Sequence, residues 1–328
     1  MKFINGIAFA LLAVMTILMV GCNQPQPSGP PLTGPSLPPG SEVKSKGTIG
    51  VSLLTLATPF FKVMGDSMKA EAEKNGYQVI ITAGEMDPAR QKDQVKDFIV
   101  KKVSAIVLCP CDSRSVGTTI QEANKAGIPV FTADIACLDK DAKVVSHIAT
   151  DNYAGGKQAG QAMIDALGGK GNVAIIDHPE VESVMLRTKG FREVVAGAKG
   201  IKIVADLPGG AARDSAYKTA QDILEQNSDL AGIFCINDPT AYGAVAAIEK
   251  AGRQGKIKIV SFDGQPEAKQ AIKDGKITSE PIQYPDKIGA MTVQTIEKYL
   301  AGEKPPAQIL IPPALYTKAD ADKDASLK

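Results

Sequence analysis

From Thr48 onward the apolar positions follow two alternating rhythms. Short runs that are apolar almost throughout (GTIGVSLL, YQVIITA, AIVLCP, IPVFTAD and VVSHIATD) are separated by stretches on a helical period, Phe60 to Asn75, Asp87 to Lys101 and Val116 to Ala126. Runs without polar alternation read as strands covered on both faces. Strands separated by helices of about 10–15 residues predict βαβ units and a parallel sheet. Asn75-Gly76 and Ala126-Gly127-Ile128-Pro129 stop helices where Gly and Pro should. The same grammar restarts after Asp151: a helix from Tyr153 to Leu167, GNVAIID, a helix through Phe191, IKIVADLP, and a helix from Ser215 to Gln226. AGIFCIND, a helix from Ala241 to Ala251, IKIVSFD and a helix from Pro266 to Asp274 follow. The predicted fold class is α/β, with two consecutive doubly wound parallel-sheet lobes. Ligands of open parallel sheets sit beyond the carboxyl ends of the strands, so the cleft between two such lobes is the expected site.

One apolar run obeys neither rhythm. Phe3 to Val20 follows Lys2 and closes on Met19-Val20-Gly21-Cys22. This reads as a secretory signal over 1–21 ending in a lipobox-like site, with Cys22 the lipidated N-terminus; the other reading is a plain N-terminal anchor, since about 18 apolar residues can just cross a bilayer. Residues 22–46 are rich in Pro, Gly and Ser, a tether that cannot build a core. The expected location is extracytoplasmic, periplasm or cell surface, with the membrane reached only through the N-terminal lipid. A protein there has no supply of ATP or nucleotide cofactors, which leaves binding, sensing or extracytoplasmic hydrolysis. No cofactor is expected.

Composition narrows this further. The formal net charge is +1, with acids and bases interspersed, so nothing points to nucleic acid. Apart from Cys22 the cysteines are Cys109, Cys111, Cys137 and Cys235. In an oxidising compartment a Cys111–Cys137 disulfide is the favoured pairing, because both follow consecutive strands; free thiols are the alternative. The two histidines, His147 and His178, stand at no zinc-ligand spacing from the cysteines, so no metal is expected.

Polar residues collect at the predicted strand ends: Thr58-Pro59-Phe60-Phe61, Cys109-Pro110-Cys111-Asp112, Asp134, Asn237-Asp238, Phe262-Asp263-Gly264 and Gln283. Any one of these can be a cap or turn residue, and Asp112 and Asp238 read as such. Recurrence at the same end of successive strands marks the others as site candidates.

TPFF, VVSHIATDNYAGGKQAG, RTKGF, IFCINDPTAYGA, IVSFDG and QYPDKIGA, in this order, resemble the periplasmic sugar-binding proteins of the ribose/galactose type. The resemblance runs from about Gly47 to the C-terminal region. It implies a type I periplasmic binding protein: a monomeric receptor with three crossovers between its lobes that closes on a sugar-like ligand and hands it to an ABC permease. The crossings fall near Thr150-Asp151, Gln283-Tyr284 and Ile311 to Pro313. The N-terminal lobe is then 47–150 plus 284–311, and the C-terminal lobe 151–283 plus 312–328. The resemblance gives Phe60 and Phe61 the role of sugar-sandwiching aromatics and Phe262 that of a further wall. Asp134, Asn237, Asp263 and Gln283 become partners for hydroxyls, since a carboxylate can accept from two adjacent hydroxyls.

The chain departs from the ribose-type branch at several of these positions. Ile135 and Met185 stand where that branch has arginines, Thr58 and Cys109 where it has asparagines, and Ala211 where it has an aromatic. The cage keeps its acids and loses bases, which argues against ribose itself. Two carboxylates in a closed, low-dielectric cleft need a cation. Either Arg187 supplies it, or the ligand is an amino-sugar, amino-cyclitol or polyol. Alternatives to an importer's receptor are a sensor that docks on a chemoreceptor or kinase, and a glycoside hydrolase using Asp134 and Asp263. The second lacks a G-x-S-x-G elbow or a phosphate loop, and no enzyme is expected. A repressor core of the same fold would carry a helix-turn-helix where this chain has its signal and tether.

Overall fold

The burial of β1 (Thr48–Leu53) sets the plan: every residue after the first is buried, as a strand covered on both faces requires. The structure, a computed structural model, describes residues 45–328. The signal, Cys22 and nearly all of the tether lie outside the described residues. After β1 come α1 (Pro59–Lys74), β2 (Gln78–Ala83), α2 (Pro88–Val100), β3 (Ala105–Leu108), α3 (Val116–Lys125), β4 (Val130–Ala133) and β5 (Val144–Thr150). The second series is α4 (Asn152–Leu167), β6 (Lys170–Asp177), α5 (Glu182–Ala196), β7 (Gly200–Pro208), α6 (Arg213–Gln226), β8 (Leu230–Cys235), α7 (Asp238–Lys250), β9 (Lys258–Val260), α8 (Pro266–Lys273) and β10 (Ser279–Ile282). The chain ends with α9 (Pro285–Leu300), β11 (Gln308–Ile311), β12 (Ala314–Thr317) and α10 (Lys318–Ala321).

Two six-stranded sheets result, in the orders β11-β5-β4-β3-β1-β2 and β12-β10-β9-β8-β6-β7. The chain passes from one sheet to the other after β5, after β10, and between β11 and β12. All pairings are parallel except that of β12, which runs antiparallel to β10. An all-parallel second sheet was expected; the short turn from β11 leaves no room for a crossover helix, so β12 returns along the edge instead. The edge strand β7 alternates buried and exposed residues, whereas β3 is buried throughout.

Helix starts follow local chemistry. Pro sits in the first turn of α1, α2, α7, α8 and α9, where its missing N–H costs nothing. Asp87, Asp151 and Asn237 cap α2, α4 and α7 by accepting from backbone N–H groups. The helix pair α4–α5 packs backbone to backbone: a Cβ on Gly156 would lie 2.1 Å from the Arg187 carbonyl, and one on Gly190 2.3 Å from that of Tyr153. Among the described residues no helix is long and apolar enough to cross a membrane.

The Cys111–Cys137 disulfide is not formed; all four cysteines among the described residues are free thiols. Cys111 packs into the hydrophobic cluster that holds Leu54 and Ala83, its thiol 3.8 Å from the Leu54 carbonyl oxygen. Cys137 packs against a different cluster, with Val116, Ile120 and Val130. Following consecutive strands put the two cysteines at the same sheet edge, but the clusters they join are separate.

Candidate functional site

The loops at the carboxyl ends of the strands of both sheets meet around a cavity of about 50 Å³. From the first sheet come Thr58, Phe60 and Phe61 after β1, Met86 after β2, and Asp134 and Ile135 after β4. From the second come His178, Val184 and Arg187 after β6, Ala211 after β7, Asn237 after β8, Asp263 after β9 and Gln283 after β10. Phe60 and Phe61 meet edge to face, with ring centroids 5.1 Å apart, and offer the cavity an apolar wall.

Arg187 organises the second half. Its Nε donates to Asn152 Oδ1 at 2.7 Å, and its Nη1 donates to the Ile236 carbonyl at 2.7 Å and to Asp263 Oδ1 at 3.1 Å. The guanidinium lies 3.9 Å from the centroid of the Phe262 ring. Gln283 Nε2 donates to the same Asp263 oxygen at 2.7 Å. Burial pushes the Asp263 carboxyl up, while Arg187 and the Gln283 amide pull the other way. The close approach of α4 and α5 at Gly156 and Gly190 holds the backbone of Arg187 against α4, so the cation is fixed by helix packing as well as by its bonds.

Asp134 is placed differently. It is 3 % exposed and has no direct cationic partner; the Cys109 thiol donates to its Oδ2 across 3.8 Å, and its Oδ1 has no partner among the described residues. Burial pushes it up to about 7, the charge on Arg187 acting in the opposite sense. Three further buried polar atoms of the lining lack partners among the described residues: Thr58 Oγ1, His178 Nε2 and Gln283 Oε1. Buried polar atoms are normally paired, so four unpaired ones on the lining of one cavity set it apart from the packed core. Asp134 and Asp263 also share backbone strain, with φ of 64° and 118°, and such outliers cluster at ligand clamps.

Of the residues singled out from sequence, Thr58, Phe60, Phe61, Asp134, Ile135, Asn237, Asp263 and Gln283 line the cavity. Phe262, Cys109 and Met185 do not. Phe262 is wholly buried beneath Arg187, Cys109 lies behind Asp134, and Met185 accepts from Arg114 at the rim. Asn237 is divided between two roles: its Oδ1 caps α7 by accepting from Thr240 N–H, and its Nδ2 donates to the Ala211 carbonyl. Asp112 accepts from the Arg114 and Ser115 amides, and Asp238 from the Gln265 amide, as structural residues. His178 was weighed in the sequence only as a zinc ligand. Its position directly after β6 is the signal that would have found it.

The two rims touch. Ser113 N–H donates to the Glu180 carbonyl at 3.0 Å, Glu182 N–H to Ser113 Oγ at 2.9 Å, and Arg114 Nη1 to the Pro179 carbonyl at 3.3 Å. The cavity is therefore closed between the lobes on this side.

Comparison with known proteins gives a consistent result. The profile of the periplasmic binding protein domain matches residues 49–304. The chain is 35% identical over 261 residues to a ribose import binding protein of Salmonella typhimurium, covering 79% of this chain and 87% of that protein. It is 30% identical over 268 residues to a D-apiose import binding protein of Paraburkholderia graminis, covering 81% and 85%. Among solved structures, an ABC transporter periplasmic solute-binding protein from Actinobacillus succinogenes with bound D-allose superimposes with a TM-score of 0.79 at 30% identity, over 85% of this chain and 100% of that one. A Bacillus halodurans solute-binding protein with bound myo-inositol gives 0.79 at 26% identity, over 85% and 97%.

Proposed function

This chain belongs to the periplasmic binding protein family, and from that premise we propose that it is the extracytoplasmic solute-binding component of an ABC importer, taking a small carbohydrate-like ligand in the cleft between its lobes. It is a binding protein and not an enzyme. The observation that carries the ligand class is the set of four unpaired buried polar atoms on Thr58, Asp134, His178 and Gln283, residues that line one cavity beside the Phe60–Phe61 wall. Hydrogen-bonding groups around an apolar face are what a sugar or polyol ring requires.

The lobes are 47–150 with 284–311 and 151–283 with 312–328. Closure brings Thr58, Phe60, Phe61 and Asp134 of the first onto a ligand held by Asn237, Asp263, Gln283 and Arg187. Ligand affinity offsets the cost of closing, so the ligand selects the closed state that the permease reads. Met185 and Cys109 act indirectly, at the rim and behind Asp134, and Phe262 supports Arg187 from below. The mature protein begins at lipidated Cys22, hangs from the membrane by the tether, and works as a monomer.

One feature of the site favours a particular branch of ligands. Arg187 is committed to Asp263, which leaves Asp134 without a cation of its own. A polyol with adjacent hydroxyls, or an amino-sugar or amino-cyclitol, would complete it. The test is thermal unfolding of the ligand-stripped mature protein in detergent against neutral sugars, polyols, inositols and amino-sugars. A ligand at a hundred times its dissociation constant should stabilise the fold by about 2.7 kcal/mol. Absence of any shift across the whole panel would sink the carbohydrate reading.

A further inference from the structure

The inner cavity is not the end of the cleft. Past Thr58, Met86, Ala211 and Pro239 it continues into an outer chamber of about 720 Å³ built from both lobes; Thr55 and Gln265 also border both spaces. Ala57, Pro59, Ala212 and Pro266 give the outer chamber apolar walls. At its far side Arg213 pairs with Glu267, and its guanidinium lies 4.5 Å from the centroid of the Tyr242 ring. One hydroxyl marks the route: Thr58 Oγ1 at the neck is buried without a partner among the described residues.

Backbone strain follows the same path. Six non-glycine residues among those described have positive φ, and five of them (Glu85, Met86, Asp134, Ala211 and Asp263) line one chamber or the other. Such conformations persist where the surrounding structure enforces them, commonly at ligand clamps. Glu85 is so enforced: its carboxylate accepts from Thr55 Oγ1 at 2.5 Å and from Leu56 N–H at 3.1 Å. The neck is narrow in side-chain bulk at one point, Ala211, where φ is 51° and the side chain is a single methyl.

We propose that the outer chamber is a second ligand subsite, and that the solute is a two-ring compound of glycoside type, with its sugar-like head in the inner cavity and a second ring passing Ala211 to lie among Pro59, Ala212 and Pro266. This rests on the inner cavity holding a sugar-like ring. A second ring with a flat apolar face matches walls of Ala and Pro, and burying such a face favours the longer ligand over a bare sugar.

The experiment is calorimetric titration of the ligand-stripped mature protein with D-ribose, D-allose, D-fucose and D-arabinose, and with the methyl and phenyl glycosides of each in both anomers. At least one phenyl glycoside should bind about tenfold or more tightly than its methyl counterpart. Ala212 is exposed, has ordinary extended backbone (φ −128°) and does not line the inner cavity, so Ala212→Trp should fold normally and fill the chamber. It should weaken the phenyl glycoside about tenfold and leave the parent sugar within about twofold. If parent sugars bind and every phenyl glycoside is excluded, or if phenyl and methyl glycosides bind equally and Ala212→Trp changes neither, the second subsite is wrong and the chamber is only an entrance. If no parent sugar and no glycoside binds, this inference falls; the carbohydrate reading falls with it only when the polyols, inositols and amino-sugars of the thermal panel also give no shift.

Discussion

At the scale of single residues, the two acids of the cleft are made unequal by their surroundings. Asp263 shares Arg187 and Gln283, while Asp134 has a thiol and an unpaired oxygen. Asp134 is pushed by burial up to about 7, and if it binds a ligand hydroxyl its ionised form is the stronger acceptor. Affinity for a neutral polyol should therefore fall by up to about tenfold per pH unit below 7. Asp134→Asn should bind more weakly at pH 8 and lose this pH dependence; titrations from pH 5 to 8 would show it. A second buried acid, Glu280, does not line the cavity. It is fully buried against Asp238, the two carboxyls sharing a proton, and burial pushes it up to about 7. A carboxyl whose folded pKa is raised contributes stability that is present below its unfolded value near 4.5 and lost as pH rises through 7. Glu280→Gln should thus gain about 1–3 kcal/mol over the parent at pH 8 and little at pH 4.5. His147 works in the opposite sense, since burial lowers it to about 4 and its contribution is lost as pH falls from 6.5 through 4. The variant should leave that lower limb unchanged in a denaturant series.

Elements carry the next level of the design. The α4–α5 contact is so close that neither Gly156 nor Gly190 tolerates a side chain. Gly190→Val should cost about 1–3 kcal/mol by forcing the helices apart, and it should also weaken ligand binding, because Arg187 would move away from Asp263. A stability loss with unchanged affinity would separate the two roles and refute the second. Much of this level was legible in the chain. Continuous apolar runs such as AIVLCP and AGIFCIND, punctuated by Gly and Pro, gave strands and helices in the right order as far as Asp274. Beyond that point the signals conflict. In Ser279–Ile282, SEPI, a proline and a glutamate occupy a strand next to β9, and only the burial of Glu280 and the antiparallel partner β12 reveal it as part of a sheet. Cavity-lining residues were legible where they follow a strand, as Asp134 and Asp263 do. Arg187 and His178 were harder, because what fixes them is the packing of α5 and the loop after β6.

For the whole molecule, the contacts between rims matter more than either lobe alone. Ser113 bonds twice across the cleft, through its N–H and its hydroxyl. Ser113→Ala removes one of these, leaving the Glu182 amide unpaired when the lobes close. A single such bond contributes about 1 kcal/mol, so ligand affinity should fall about fivefold with little change in the unfolding of either lobe. Small-angle scattering should show a larger radius of gyration for the ligand-free variant than for the parent.

Neither sheet is made from one continuous piece of chain. The first sheet takes its edge strand β11 from residues 308–311, after the whole of the second series has passed, and the second takes β12 from 314–317. A chain emerging N-terminus first can therefore complete the first sheet only once residues 308–311 have appeared, and the second only once 314–317 have. Up to that moment β5 and β10 have open edges, and Ser113 can meet no finished partner. Premature termination anywhere before residue 308 would leave both halves incomplete together.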